Sequence, residues 1–173
     1  MITLITGGSK CGKSSLAESF SENFDGEKIY IATMKPFGEE AHKAIERHRM
    51  MRSGKGFVTI EKYTDIHEIE ISDRSFVLIE CIGNLLANEM FCEDGFCDPT
   101  DKIINGLSVI SNKSENIVIV TNQVGSDGIS YSKEISAYIA AMGKINSAVS
   151  DFSDNVVECV YGIPIILKGK LYD

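Results

Sequence analysis

Short apolar, β-branched runs alternate along the chain with longer segments of helical period. The first run is Ile2 to Thr6, stopped by Gly7 and Gly8; beyond it Ser14, Leu16, Ala17 and Phe20 share a helical stripe, so the opening predicts strand, loop, helix. "IYIAT", Ile29 to Thr33, predicts a second strand ended by the turn around Pro36 and Gly38. The stretch from Glu39 to Arg52 lacks Gly and Pro and is rich in helix formers, which predicts a helix broken at Ser53 and Gly54. A short strand follows through Phe57 to Ile60, then a short helix over Asp65 to Ile71. "SFVLIEC" is continuously hydrophobic up to Glu80, the pattern of a strand buried on both faces. "IGNLLANEMF" predicts a helix, Cys92 to Pro99 a polar loop, Thr100 to Ile110 another helix, and "ENIVIVTN" another buried strand. From Ser132 to Val149, Ile135, Ile139, Met142, Ile145 and Val149 recur at spacings of three and four, marking a long amphipathic helix. The tail "NVVECVYGIPIILKG" predicts two strands joined at Gly162, with Pro164 favouring a sheet edge.

Strands alternating with helices imply βαβ crossovers and a three-layer α/β fold with a mainly parallel sheet, the last strand antiparallel to its neighbour. The 173 residues suit one domain spanning 1–173. With 43% hydrophobic and 24% charged residues, the chain is neither disordered nor fibrous. A net charge of -8 argues against indiscriminate binding to nucleic acid or anionic membranes. Five cysteines without a CxxC pair read as reduced intracellular thiols, and no apolar run approaches the roughly 20 residues that span a bilayer. A cytoplasmic protein without membrane insertion is the expectation.

The strongest local signal is "GGSKCGKSS", where Gly7, Gly12, Lys13 and Ser14 satisfy G-x-x-x-x-G-K-[ST] between a strand and a helix. Glycines let successive backbone N–H groups face one phosphate, Lys13 would reach the β and γ phosphates, and the Ser14 hydroxyl would ligate Mg²⁺. This gives the fold expectation its sharper form, a P-loop NTPase-like domain; the alternative is an ordinary glycine turn with a solvent-facing lysine. Lys10 is either a further phosphate contact or solvated surface. Glu80, after the most buried strand, stands where such a loop needs an acid to hold the metal, unless topology alone put it there.

His48 lies in "ERHRMMR", with Arg47, Arg49 and Arg52 nearby. Guanidinium neighbours would keep the imidazole unprotonated and nucleophilic and could clamp phosphoryl oxygens. Such a face can equally be plain solvated surface. His42 lies on another helix face and His67 is remote, and neither the histidines nor the cysteines have zinc-ligand spacing.

Read in order, the phosphate loop, "IYIAT", "ERHRMMR", "VLIEC", "TNQVG" and "YIAAMGKINSAV" resemble the bifunctional adenosylcobinamide kinase and adenosylcobinamide-phosphate guanylyltransferase family of cobalamin biosynthesis. The resemblance implies phosphorylation of adenosylcobinamide, then transfer of GMP from GTP to adenosylcobinamide phosphate through a guanylylated histidine, giving adenosylcobinamide-GDP. It implies GTP, with ATP as a further donor, Mg²⁺, and a homo-oligomer such as a trimer. Residue by residue, it carries nucleotide contacts onto Gly7, Gly8, Ser9, Lys10, Cys11, Gly12, Lys13 and Ser14, and onto Ile31, Ala32 and Thr33. The guanylylated residue falls on His48, followed by a basic contact region of Arg49, Met50, Met51 and Arg52; Glu61 and Glu80 are the acids that meet the nucleotide or its metal. Four positions depart from the family pattern. Gln123 replaces a usual Glu after Asn122, Ala140 and Ala141 replace an Arg-Asp pair, and Phe57 stands near a usual Trp. A member retaining one activity, a P-loop kinase of another small molecule, and a non-catalytic nucleotide-binding regulator are the alternatives.

Overall fold

The computed structural model describes residues 1–92, 95–125 and 128–171. In chain order its elements are β1 (Ile2–Thr6), α1 (Lys13–Ser19), β2 (Glu27–Ala32), α2 (Gly38–Arg52), β3 (Phe57–Glu61), β4 (Ser75–Ile79) and α3 (Ile82–Met90). Then come β5 (Phe91–Cys92), β6 (Gly95–Phe96), α4 (Thr100–Lys113), β7 (Asn116–Val120), α5 (Lys133–Phe152), β8 (Asn155–Val160) and β9 (Ile163–Lys168). Among the described residues, seven strands form one sheet in the order β3-β2-β4-β7-β1-β8-β9. Every neighbouring pair is parallel except β8 with β9, which closes antiparallel through the turn at Tyr161 and Gly162. The fold is thus an α/β domain with a mostly parallel sheet and an antiparallel C-terminal strand pair, as the alternation of patterns predicts.

The central strands are continuously apolar because helices cover both faces, and successive side chains go to opposite sides. On β4, Val77 and Ile79 join Leu4, Ile31, Ile119, Leu85, Leu107 and Ile145 on the side of α3, α4 and α5. Phe76 and Leu78 join Ile5, Tyr30, Val118 and Ala17 on the side of α1. Phe76 is 1% exposed and its ring meets those of Phe24 and Phe57, centroids 5.8 and 6.2 Å away. Phe76→Ala should therefore lower unfolding free energy by about 3–5 kcal/mol, seen as a fall in the urea midpoint with little change in slope.

Two segments differ from their sequence patterns. The helix expected over Asp65 to Ile71 is a single 3-10 turn, Ile66–Glu68, entered through a left-handed Asp65. Ile66 and Ile69 both need to face the core, and at a spacing of three the tighter turn brings them there. Ile66 lies so close to α4 that a Cβ on Gly106 would come within 2.9 Å of its side chain. The polar loop expected over Cys92 to Pro99, of which residues 93 and 94 lie outside the described residues, is flanked by the short antiparallel pair β5 and β6 with the Phe91 and Phe96 rings 5.7 Å apart, so Phe91 leaves the helix that the pattern carries through it.

At the outer edge Pro164 sits in β9, where no further strand needs its missing N–H. Ile163, Ile165, Ile166 and Leu167 of this edge are exposed. No described helix is long and apolar enough to cross a membrane.

Candidate active site

The carboxyl ends of β1, β2, β4 and β7 open into one cavity of about 440 Å³. Residues 9–12 of the loop form one wall, and the expected contacts Gly7 and Gly8 lie outside the lining. Gly7 and Gly12 take φ of 145° and 102°, and a Cβ on Gly7 would stand 2.5 Å from the Cys159 carbonyl oxygen, so this path is open only to glycine. Lys13 begins α1 with only 8% exposure, and its Nζ donates to the Gly7 and Gly8 carbonyls at 3.0 and 2.5 Å. An ammonium held against the loop's own carbonyls is a positive charge fixed at the cavity wall, beside the Ser14 hydroxyl.

The opposite wall is α2. His48 enters the cavity from it with a side chain 15% exposed, and its Nδ1 touches Glu80 Oε1 and lies 3.3 Å from the Tyr30 hydroxyl. Burial lowers the imidazole pKa to about 4, assisted by the charges of Arg47 and Arg52; the Glu80 contact acts in the opposite sense. The ring is accordingly neutral at physiological pH. Arg52 is stacked on the Tyr30 ring, its guanidinium carbon 3.2 Å from the centroid, and its Nη1 is buried without a hydrogen-bond partner. Burial in turn pushes the Tyr30 pKa up, keeping the phenol protonated.

Several expected residues reach the cavity directly: Ser9, Lys10, Cys11, Gly12, Lys13, Ser14, His48, Met51 and Glu80 all line it. Others lie outside its lining. Ile31 is fully buried in the core, Ala32 is half-buried, and Thr33 is a buried support whose hydroxyl donates to the Cys81 carbonyl at 2.8 Å. Arg49 points away to Glu61, with 3.1 Å between Nη2 and Oε1, and Met50 is exposed. Arg49 and Arg52 flank a separate hollow beside Gly54, Gly56 and Phe57. Helical register explains the division. His48 and Arg52 are one turn apart, as spacing implies, but Arg52 is drawn down onto Tyr30, and the guanidinium that lines the cavity is Arg47.

Met34, Asn84 and Val120 also line the cavity without having been singled out as candidates, and so does Asn122 of the "TNQVG" segment. Their signal was positional, since each follows or ends a strand or sits in the first turns of the next helix. Asn146 of α5 fixes the segment after β7, accepting from the Thr121 hydroxyl at 2.6 Å and donating to the Asn122 carbonyl at 3.3 Å. Gln123 donates to Glu158 at 3.0 Å, a pairing that a glutamate would turn into carboxylate repulsion. Ala141 is buried against the core and Ala140 is exposed. Phe57 keeps an aromatic contact, edge-on to Tyr30 at 6.4 Å. His67 stands with Asp65 and Glu68 at the 3-10 turn, their ligand atoms within 4.8 Å of one another and outside the cavity lining. All five cysteines are free thiols.

Lysine, serine, imidazole and carboxylate converging beyond the carboxyl ends of parallel strands define an α/β group-transfer enzyme. A family model described as cobinamide kinase / cobinamide phosphate guanyltransferase matches residues 3–167, and the chain belongs to that family. It is a bifunctional kinase and guanylyltransferase of cobalamin biosynthesis, with GTP/ATP-dependent activity. The chain is 27% identical to the bifunctional adenosylcobalamin biosynthesis protein CobU of Escherichia coli (strain K12), over 97% of this chain and 100% of that protein. It is 25% identical to the bifunctional adenosylcobalamin biosynthesis protein CobP of Pseudomonas aeruginosa, over 98% of this chain and 99% of that one. Among solved structures, a DnaB-like replicative helicase matches with a TM-score of 0.50 at 11% identity, over 95% of this chain and 53% of that one. An ATPase from a type III secretion system of pathogenic bacteria matches with a TM-score of 0.51 at 11% identity, over 91% and 50%. The chain thus spans about half of these structures, and the likeness is one of fold.

Proposed function

We propose that this cavity performs both reactions: a P-loop formed by residues 7–14 positions the nucleotide phosphates, and His48 carries GMP between GTP and adenosylcobinamide phosphate. The observation that carries this reading is the convergence of Lys13 and a neutral, half-buried His48 on one cavity from opposite walls. In the kinase step, Lys13 offsets charge on the transferred phosphoryl group while the loop's N–H groups hold the rest of the nucleotide. In the second step the His48 imidazole attacks the α phosphorus of GTP, and Arg47 stands in the cavity to compensate the phosphoryl oxygens.

The donor set fits Mg²⁺. The Ser14 hydroxyl and the Glu80 carboxylate are hard oxygen donors lining the same cavity, and His48 engages only one of the two Glu80 oxygens. Bound there, Mg²⁺ would neutralise negative charge on the phosphates. Met51 and Lys10 complete the contact surface. Arg49, Met50, Glu61 and the Ile31 to Thr33 segment serve as outer supports, joining the nucleotide only if α2 shifts on binding. A cytoplasmic homo-oligomer, trimeric as in the family resemblance, is part of this reading, supported by the exposed apolar edge of β9.

Intact-mass measurement after incubation with GTP and Mg²⁺ tests it. One guanylyl group per chain should appear and should be discharged by adenosylcobinamide phosphate. A chain saturated with GTP that never gains this mass would refute the covalent route.

A further inference from the structure

We propose that Glu80 is a positioning residue for guanylyl transfer: it holds the His48 ring as the Nδ1–H tautomer and so makes Nε2 the attacking atom. The inference rests on the reading of His48 as GMP carrier and adds what selects its reactive nitrogen. A neutral imidazole has one N–H and one lone pair, and an ionised carboxylate can only accept. Contact between Nδ1 and Glu80 Oε1 therefore places the proton on Nδ1 and the lone pair on Nε2. The Tyr30 hydroxyl, 3.3 Å from the same nitrogen, flanks this contact, and both described contacts of the ring fall on Nδ1 rather than Nε2.

The carboxylate is well placed to hold an orientation. Glu80 directly follows β4, and its backbone N–H donates to the Ile31 carbonyl at 3.2 Å, so it stands on the last rung of the sheet ladder. Its side chain is only 6% exposed. His48 belongs to α2, so the contact ties the nucleophile's helix to the rigid sheet.

The chemistry balances without any net proton movement. The Nε2 lone pair forms the bond to the α phosphorus, the bond from that phosphorus to the bridging oxygen breaks, and pyrophosphate leaves with the electron pair. The ring is then cationic, with Nδ1–H still on Glu80, whose negative charge compensates it. In the second half an oxygen of the acceptor phosphate bonds to phosphorus, the P–N bond breaks, and its electron pair returns to Nε2.

The guanylylated wild-type protein answers first, by the position of its P–N bond in phosphorus–proton NMR correlation. Linkage at Nε2 is expected, and linkage at Nδ1 overturns the proposal. Nitrogen-15 spectra of the free protein should show His48 Nδ1 protonated and Nε2 bare; the reverse tautomer overturns it, and neither reading needs a variant. Glu80→Gln should slow single-turnover guanylylation on the order of 100-fold or more, with the KM for GTP changed only a few-fold and the tautomer mixture shifted. A variant with wild-type rate and tautomer, or one restored fully by excess Mg²⁺, would show that Glu80 serves only the metal. If wild type takes up no GMP, the carrier reading fails instead, and the nitrogen-15 spectrum of the free protein still decides the tautomer.

Discussion

His48→Ala should abolish guanylyl transfer while leaving phosphorylation of adenosylcobinamide within about tenfold of wild type. The carrier step has no substitute nucleophile on the α2 wall, because Arg47 and Met51, which line the cavity beside His48, cannot form an equivalent P–N bond at neutral pH. The kinase step needs no covalent carrier and depends on positioning and charge from the opposite wall. Labelled GMP from α-labelled GTP should follow wild type through a denaturing gel and be released by acid but not by mild base, as a phosphoramidate requires. The pH profile carries a second signature. An ordinary histidine loses its lone pair to a proton below about 6.5, whereas burial with Arg47 and Arg52 lowers the pKa here to about 4. Lowering the pKa extends the neutral form to more acidic pH, so single-turnover labelling should stay level from pH 8 to 6, where an ordinary histidine would already be more than half protonated. Equal label on the His48→Ala protein would refute the assignment, and a midpoint near 6.5 would remove the role given to burial and the two arginines.

What the sequence conveys and what it conceals divide along the same physical line. β1, β4 and β7 are legible because a strand covered on both faces must be continuously apolar, and α5 because its stripe runs over many turns. The β5–β6 pair is not, since two-residue strands leave no periodicity and depend on one tertiary contact between Phe91 and Phe96. At the site, the 7–14 loop is local and Gly7 and Gly12 announce its positive-φ turns. The meeting of His48 with Glu80 is not local: it follows from β2 pairing with β4 and from α2 returning over the carboxyl ends of both. Spacing could place Arg52 one turn from His48 but could not say that Tyr30 would capture it; Arg47, at the adjacent position, was readable only as part of the basic cluster. Asn84 reaches the cavity through strand order alone, whereas Asn122 and Asn146 lie in the quoted "TNQVG" and "YIAAMGKINSAV" segments and only their mutual hydrogen bonding had to await the fold.

Lys13→Ala should lower kinase turnover about 10³-fold with the fold retained. The wild-type ammonium is 8% exposed and fixed by the Gly7 and Gly8 carbonyls, so it meets a phosphate without first being ordered. A preorganised charge of this kind aimed at developing negative charge is worth about 10²–10³ or more in turnover, and alanine supplies none of it. The structural cost is small by comparison. Two carbonyl acceptors lose a donor, at about 1–3 kcal/mol, while the loop's path is still dictated by Gly7 and Gly12 and by the Gly162 N–H bond to the Cys11 carbonyl at 2.7 Å. Circular dichroism should therefore overlay with wild type, and urea unfolding should shift modestly. Guanylylation of His48 should fall less than phosphorylation, because the nucleophile and Arg47 act from the other wall of the cavity. Lys13→Arg separates charge from fit: the planar guanidinium keeps the charge but does not present its donors as the compact ammonium presents them to the Gly7 and Gly8 carbonyls, so only partial recovery is expected. A folded Lys13→Ala protein that phosphorylates adenosylcobinamide at the wild-type rate would mean that the glycine loop does not hold the phosphate that is transferred.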